Sequence, residues 1–156
     1  MTIAIFAGSF DPITNGHIDI IRSSAEIFDK VIVAVSHNVN KKEFLPLEVR
    51  KKLIQESITD IQNAEAASFD GLTVEFAKKC GAKVLIRGLR TPSDFEYEAQ
   101  MAQTNRALCS EITTVFLSAN AGNNYISSSS VREILLNKGD VSKLVPPAVS
   151  KYLMKL

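Results

Sequence analysis

The stretch IAIFAGSFDPITNGHIDII, residues 3–21, combines a strand, a loop and the start of a helix. Its first five residues form a short apolar run that is typical of a buried strand. The loop that follows contains two turn signals, Asp11-Pro12 and Asn15-Gly16. Apolar residues with helical spacing then begin at Ile18 and Ile21. A buried strand, a polar loop and a helix in this order predict one repeat of a parallel α/β sheet.

The same alternation continues along the rest of the chain. Short apolar runs at 31–35, 84–86 and 113–117 predict further strands, and residues 64–69 form a weaker candidate. Segments with helical spacing follow these runs, at 47–58, 72–80, 94–108 and 131–137, and a last helix follows Pro146-Pro147. The order predicts a single α/β domain over residues 1–156. It is Rossmann-like and doubly wound, with a five-stranded parallel sheet and helices on both faces.

The composition limits the classes of function. The chain has 156 residues, 46% of them hydrophobic and 22% charged, and a formal net charge of +1. A charge so small offers no general attraction to nucleic acid or to an anionic membrane. No apolar run approaches the roughly 18 to 20 residues of a membrane-spanning helix, and no secretory signal is visible. Cys80 and Cys109 lack CxxC spacing, which favours buried thiols over a disulfide or a metal pair. We therefore expect a cytoplasmic protein.

Polar loops follow four of the predicted strands, where doubly wound sheets bind their ligands. These loops read SFDPITNGH, NVNKKEF, RGLRTPSDFEYE and NNYISSSSVR. The first contains neither GxGxxG nor GxxxxGK[ST], so a dinucleotide fingerprint and a P-loop are both excluded there. His37, at the end of the second strand, has no partner pattern and is interpreted as a loop residue.

The first two loops offer groups that suit phosphate. His17 lies in the first turn of a helix, where backbone N–H groups attract anions and an imidazole can donate a further hydrogen bond. The alternative is an exposed histidine in a turn. Lys41-Lys42 places two ammonium groups beside the presumed cleft. The alternative for this pair is an ordinary solvated surface feature.

The other two loops are more specific. Arg87 and Arg90 flank Gly88 directly after a buried strand, and planar guanidinium groups suit phosphate oxygens. An internal Arg–Glu network with the following acidic helix is the alternative. In the fourth loop, serines precede a helix with Ser130-x-x-Glu133 at capping-box spacing, which predicts an anion cradle rather than a flexible linker.

Together these loops resemble the nucleotidyltransferase superfamily, whose signatures are (H/T)xGH and ISSTxxR. The chain has TNGH at residues 14–17 and ISSSSVR at residues 126–132. Within that superfamily it is similar to the phosphopantetheine adenylyltransferase family, through GSFDPITNGHIDII, KK before LEVR, LIRGLR, DFEYE and YISSS. The resemblance covers essentially the whole chain. It implies that ATP and 4′-phosphopantetheine give dephospho-coenzyme A and pyrophosphate, with Mg²⁺ carried by ATP and no dedicated metal site in the protein.

The resemblance also implies residue roles. His17, Lys41 and Arg90 would act in catalysis, His17 at the α-phosphate and Lys41 on the attacking phosphate. The acceptor would contact Ser9, Lys41, Thr73 and Arg87, with Thr73 inferred from the alignment of a helix start. ATP would be enclosed by Ser9, Phe10, His17, Gly88, Leu89, Arg90, Glu98, Asn123, Asn124, Tyr125, Ile126, Ser127, Ser128 and Ser129. The family further implies a homohexamer.

The chain departs from the family pattern at a few positions. Asn123 stands where some relatives have an aromatic residue, which affects the expected packing beside adenine, and Thr91-Pro92 replaces a more common Ala-Val. Ser9 and Ser129 stand where Thr is frequent and keep the hydroxyl. Two alternatives stay open: another adenylyl- or cytidylyltransferase, such as a nicotinamide-mononucleotide adenylyltransferase, or a nucleotide-binding regulator without catalysis.

Overall fold

In the computed structural model, which describes residues 1–37, 40 and 42–156, strands and helices alternate along the chain. The strands are β1 (Ile3–Gly8), β2 (Lys30–Ser36), β3 (Ala64–Phe69), β4 (Val84–Leu89) and β5 (Thr113–Ser118). The helices are α1 (Asn15–Ile27), α2 (Leu47–Ser57), α3 (Thr73–Lys79), α4 (Pro92–Leu108), α5 (Ser128–Leu136) and α6 (Pro147–Leu153). The predicted order of elements is confirmed, including the weak candidate that forms β3.

The five strands form one parallel sheet in the order β3-β2-β1-β4-β5. β1 lies at the centre and pairs with β2 from Ile3↔Lys30 to Gly8↔Val35, and with β4 from Ala4↔Val84 to Phe6↔Ile86. The winding reverses between β1 and β4, so their carboxyl ends border the crevice in which such sheets bind ligands. The predicted Rossmann-like fold is confirmed.

Apolar layers cover both faces of the sheet. Along β1, Ala4 and Phe6 belong to one layer, whereas Ile5 and Ala7 belong to the other, as the alternation of a strand requires. Helices α1, α2, α5 and α6 pack on the first layer, and α3 packs on the second. Each fully buried Ile or Val contributes about 1.5–3 kcal/mol. In contrast, the only residue that α4 buries is Glu98.

Three helices begin earlier than the apolar spacing predicts, because side chains before the apolar face cap them. Thr14 caps α1, Thr91 caps α4 and Ser127 caps α5, each with a capping box. The predicted pairing of Ser130 with Glu133 is therefore wrong. Ser127 Oγ accepts from the N–H of Ser130 at 3.0 Å, and Ser130 Oγ accepts from the N–H of Ser127 at 3.2 Å.

The third predicted loop begins later than expected. β4 continues through Arg87, Gly88 and Leu89, which pair with Phe116, Leu117 and Ser118 of β5. The apolar run that predicted this strand ends at Ile86, because Arg and Gly are not typical of a buried strand. Pairing with β5 extends the strand beyond that run. Arg87 thus projects from a strand rather than from a loop.

Two further observations concern the whole molecule. Cys80 and Cys109 are free thiols, the first half-buried and the second buried, as predicted. Within the described ranges, no helix combines the length and apolar character that crossing a membrane requires.

Candidate active site

A cavity of about 310 Å³, the main cavity, lies at the carboxyl ends of β1 and β4. The loop after β1, the start of α1, the end of β4 and the segment before α5 surround it. Predicted site residues lining it are Ser9, Phe10, His17, Arg87, Gly88, Leu89, Arg90, Glu98, Asn123, Ile126, Ser127, Ser128 and Ser129. His17 and Arg90, which lie far apart in sequence, therefore share one cavity.

Thr14 fixes the orientation and the tautomer of His17. The backbone N–H of Thr14 donates to Nδ1 of His17 at 3.0 Å, and Thr14 Oγ1 accepts from the N–H of His17 at 3.4 Å. Because Nδ1 accepts from a backbone N–H, the proton of the neutral ring lies on Nε2. Phe10 packs edge-on against the ring, with centroids 5.0 Å apart. The ring therefore offers Nε2–H as its donor to a ligand.

The imidazole of His17 is neutral at physiological pH. Its pKa is lowered from 6.5 to about 4, chiefly by burial and then by the cations of Arg90 and Arg87. A neutral donor in a partly enclosed site can stabilise negative charge that develops on a ligand, and it does so without taking up a proton first. The sequence indicated the position of His17 but not its charge state.

Gly16 and Asp19 hold the segment between β5 and α5 against α1. A Cβ at position 16 would lie 3.2 Å from the backbone oxygen of Asn123, so a larger residue would push this segment away. Asp19 Oδ2 accepts from the N–H of Asn120 at 3.2 Å and from Nδ2 of Asn123 at 2.9 Å. Asn123 thus ties the segment to α1.

Arg87 forms a two-pronged ion pair with Glu98 of α4. Its Nε and Nη2 atoms each donate to one carboxylate oxygen at 2.6 Å, and Nη1 donates to the backbone oxygen of Ala7 at 2.8 Å. The internal Arg–Glu pair that the sequence left open is therefore present. Since a guanidinium has five N–H groups, two are without a partner in the described part of the chain. Arg87 also lines the main cavity, so these donors are available to a ligand.

Arg90 is held by the start of α4. Asp94 accepts from the N–H groups of Arg90 and Thr91 at 3.0 and 3.2 Å, and its carboxylate lies 3.5 Å from Nε of Arg90. The guanidinium also reaches the backbone oxygen of Ile126 through Nη1, at 3.4 Å. With 42% of its side chain exposed, Arg90 presents a cation to the main cavity beside His17.

The start of α5 is tied to the loop after β1. Ser128 Oγ donates to the backbone oxygen of Pro12 at 2.8 Å, and Arg132 donates to that of Asp11 at 2.7 Å. Arg132 also donates to Oγ of Ser129, at 3.2 Å. These bonds aim the amino end of α5 at the main cavity. Arg132 is the last residue of the ISSSSVR stretch, yet the sequence assigned it no role.

Several predicted site residues lie elsewhere. Lys41 falls outside the described residues. Thr73 begins α3 and is not among the residues that line the main cavity, and neither is Tyr125, whose side chain is 72% exposed. Asn124 donates to the backbone oxygen of Arg90 at 3.3 Å, while its buried Oδ1 has no partner in the described ranges. Phe10, in contrast, does line the main cavity. It has φ of 43° and a buried side chain, which leaves mainly its backbone for a ligand.

A second cavity of about 230 Å³, the side cavity, adjoins the first. Ser9 and Arg132 line both cavities. The described residues that line the side cavity are Ser9, Asp11, Ser36, Lys42, Glu43, Arg50 and Arg132. Asp11 and Arg50 are buried and were missed as site residues. Arg50 could have been noticed, because it lies three residues from Leu47 and Leu53 on the apolar side of α2.

The donors at this site suit phosphate chemistry. A neutral imidazole N–H, two guanidinium groups and the amino end of a helix converge on one cavity. Such groups stabilise charge on a phosphoryl group and position it for attack. Among the described residues, no group of three or more His, Cys, Asp or Glu side chains is arranged to hold a metal ion.

Comparison with known proteins agrees with this chemistry. The Cytidylyltransferase-like family matches residues 5–134. A phosphopantetheine adenylyltransferase from Alkaliphilus metalliredigens is 51% identical over 155 residues, which cover 99% of each chain. The enzymes of that name from Lachnoclostridium phytofermentans and Clostridium novyi are 51% and 49% identical, covering 98% and 99% of this chain and 94% and 96% of their own.

A solved structure supports the fold alone. A crystal structure from Vibrio parahaemolyticus with the provisional name nicotinate-nucleotide adenylyltransferase has a TM-score of 0.74 and 23% identity, and the match covers 99% of both chains. From the sequence matches, the chain belongs to the cytidylyltransferase-like family and, within it, to the phosphopantetheine adenylyltransferases.

Proposed function

We propose that this protein transfers the adenylyl group of ATP to 4′-phosphopantetheine, giving dephospho-coenzyme A and pyrophosphate in coenzyme A biosynthesis. The observation that carries the proposal is one cavity in which His17, Arg87 and Arg90 converge with the amino end of α5. The names and high identity of the relatives favour this acceptor over other phosphorylated molecules.

In this reaction an oxygen of the acceptor phosphate forms a bond to the α-phosphorus of ATP, and the bond from that phosphorus to the β-phosphate oxygen breaks. The acceptor is already anionic, so no base is needed to activate it. His17 donates its Nε2–H to the α-phosphate as charge develops there. Arg90 and the start of α5 bind the β- and γ-phosphates, whereas Arg87 and Lys41 hold the acceptor phosphate. Rate enhancement comes from position and charge stabilisation.

Magnesium enters this proposal with the nucleotide. The donors of the main cavity suit phosphate oxygens, and Glu98, a carboxylate that lines it, is bound on both oxygens by Arg87. A nucleotide that brings its own cation fits these residues better than a metal held by carboxylates. When bound, Mg²⁺ supplies positive charge to the phosphates.

We also propose that the chain is a single nucleotidyltransferase domain over residues 1–156 and assembles as a homohexamer in the cytoplasm. The exposed face of α4 supports assembly, because Tyr97, Met101 and Leu108 lie on one side of this helix and are 63%, 39% and 53% exposed. Sedimentation velocity tests the assembly. Charged replacements at Tyr97 and Met101 should lower the sedimentation coefficient.

The reaction is tested by incubating the protein with ATP, Mg²⁺ and 4′-phosphopantetheine and identifying the products by mass spectrometry. Dephospho-coenzyme A and pyrophosphate are expected in equal amounts. Parallel reactions should contain nicotinamide mononucleotide, nicotinate mononucleotide or no acceptor. Product from a mononucleotide and none from phosphopantetheine would overturn the proposed acceptor.

A further inference from the structure

Arg50 is a buried cation that uses its donors on the protein itself. It is 1% exposed and lies on the apolar side of α2. Its Nε donates to the backbone oxygen of Leu45 at 2.9 Å. Nη1 donates to the backbone oxygens of Ser9 and Ser36 at 2.7 and 3.4 Å, and Nη2 donates to Glu43. A charge buried this deeply is stable only when such partners are present.

These bonds join three parts of the chain that are distant in sequence. Ser9 belongs to the loop after β1, Ser36 ends β2, and Glu43 and Leu45 belong to the segment before α2. The guanidinium is planar and rigid, so it sets the relative positions of these three segments. A lysine at the same position would keep the charge but could not span the same set of oxygens in one plane.

Asp11 also holds the segment before α2. Its carboxylate accepts from the N–H groups of Phe44 and Leu45 at 2.7 and 2.8 Å. Asp11 and Ser9 both lie in the loop after β1, so this loop is bonded to the segment before α2 directly through Asp11 and indirectly through Arg50. Asp11 and Arg50 therefore both bond to the backbone of Leu45, the first at its N–H and the second at its oxygen.

The segment held in this way borders the side cavity. Lys42 immediately precedes Glu43 and lines that cavity together with Ser9. Ser9 also lines the main cavity, which makes it the point where the two cavities join. Among the described residues, Arg50 makes no hydrogen bond to β4 or to the serines at the start of α5, to which most ATP contacts are assigned above. Ser9 is assigned to both substrates, so the influence of Arg50 falls mainly on the acceptor side of the site.

We propose that Arg50 is a positioning residue for the phosphorylated acceptor: it sets residues 42–45 and the Ser9 loop at the spacing that acceptor binding requires. This inference rests on the proposed function and deepens it. Displacing a binding group by about 1 Å can cost up to ~100-fold in rate. Loss of the Arg50 guanidinium should therefore weaken acceptor binding far more than ATP binding.

The test compares Arg50→Lys with the wild type in steady-state kinetics, with ATP and 4′-phosphopantetheine varied separately. We expect KM for phosphopantetheine to rise about tenfold or more, while KM for ATP changes less than about twofold. Arg22→Lys is the matched control, since Arg22 forms an exposed pair with Asp60 and neither residue lines a cavity. It should change neither constant.

Glu43→Gln provides a second variant, which keeps the buried guanidinium of Arg50 in place. It changes a side chain that is 26% exposed, so the protein is expected to fold. We expect a rise of about threefold in KM for phosphopantetheine and none for ATP. If Arg50→Lys does not fold, this variant decides alone. Equal rises for both substrates, or no rise for either, would overturn the positioning role while leaving the proposed function intact. A wild-type protein inactive with phosphopantetheine would overturn both.

Discussion

Two arginine–glutamate pairs lie near the carboxyl end of the sheet, and they are buried in opposite ways. In the pair Arg50–Glu43 the arginine is 1% exposed and the glutamate 26%, whereas in Arg87–Glu98 the arginine is 35% exposed and the glutamate 11%. The first arginine is surrounded by backbone oxygens of three segments. The second keeps donors that face the main cavity.

The difference separates a framework pair, Arg50–Glu43, from a ligand-facing pair, Arg87–Glu98. A buried guanidinium whose donors are occupied orders the protein around it. A half-exposed guanidinium held along one edge by a buried carboxylate is pre-oriented to bind an anion with its other edge. Residue type and charge are the same in both pairs, so burial and partners decide the role of each.

The largest expected effect is on stability, from Arg50→Met. Removing one partner of a buried, hydrogen-bonded ion pair typically costs about 3–5 kcal/mol. We expect a loss of this size in the free energy of unfolding, because backbone oxygens of Ser9 and Leu45 lose their donor. Urea denaturation followed by circular dichroism measures it. A loss no greater than that of Arg22→Met would break the distinction between the two pairs.

The next effect is on rate, from His17→Ala on the ligand-facing side. Losing a donor aimed at developing charge typically costs about 2.7–4 kcal/mol, or ~10² to 10³ in kcat. The lost bond from the Thr14 N–H to the ring should lower stability by only about 1 kcal/mol, since Thr14 Oγ1 still accepts from the N–H of residue 17. Turnover and thermal unfolding measured on the same sample separate the two effects. Unchanged kcat with ATP binding intact would contradict the role of His17.

A smaller effect on stability is expected from Arg87→Met, in the ligand-facing pair. Arg87→Met should lower the free energy of unfolding by about 1–3 kcal/mol, because Glu98 loses its two-pronged donor in a buried place. Adding Glu98→Leu should recover most of this stability, since no carboxylate is then left unpaired. Acceptor affinity, measured by calorimetry, should stay low in the double variant. Recovery of affinity together with stability would show that Arg87 acts only on the structure.

The smallest expected effect is a shift in the titration of His17. In the wild type its pKa of about 4 means that the folded chain stays neutral at this site while the unfolded chain takes up a proton below 6.5. Stability should therefore fall as pH decreases from about 6.5 to about 4. Since Arg87 contributes to the low value, Arg87→Met should raise the pKa of His17, whereas Glu43→Gln should not.

Nuclear magnetic resonance of ¹⁵N-labelled histidine measures this shift and the tautomer together. The spectrum should show the Nε2–H form at pH 7, and His37→Gln assigns the two histidines. A ring that titrates near its ordinary value in the wild type would contradict both the burial and the cation effects.

Much of the fold followed from local patterns in the sequence. Short β-branched runs and helical apolar faces predicted the alternation of elements, and loops such as TNGH and ISSSSVR predicted where ligand-binding groups lie. One error occurred where a partner distant in sequence overrides a local pattern, and the other in the choice between two serines three residues apart. β5 extends β4 through Arg87 to Leu89, and Ser127 rather than Ser130 caps α5.

Some of the predicted site residues line the main cavity and others do not. Arg90 and Ser128, which were predicted from their motifs, line the main cavity, whereas Thr73 and Tyr125 do not. Arg50 lies on the apolar side of α2, a position that indicated burial, but nothing in the sequence indicated the distant oxygens that it binds.

The sequence by itself determined the order of strands and helices and the kinds of groups that follow each strand, because these depend on residues a few positions apart. Only the tertiary structure decided that Glu98 pairs with Arg87, that Asp19 holds Asn123, and that Arg50 joins Ser9 to Leu45. Such contacts arise when the crossovers pack strand ends together, and burial then selects which charge is paired and which is left to meet a ligand.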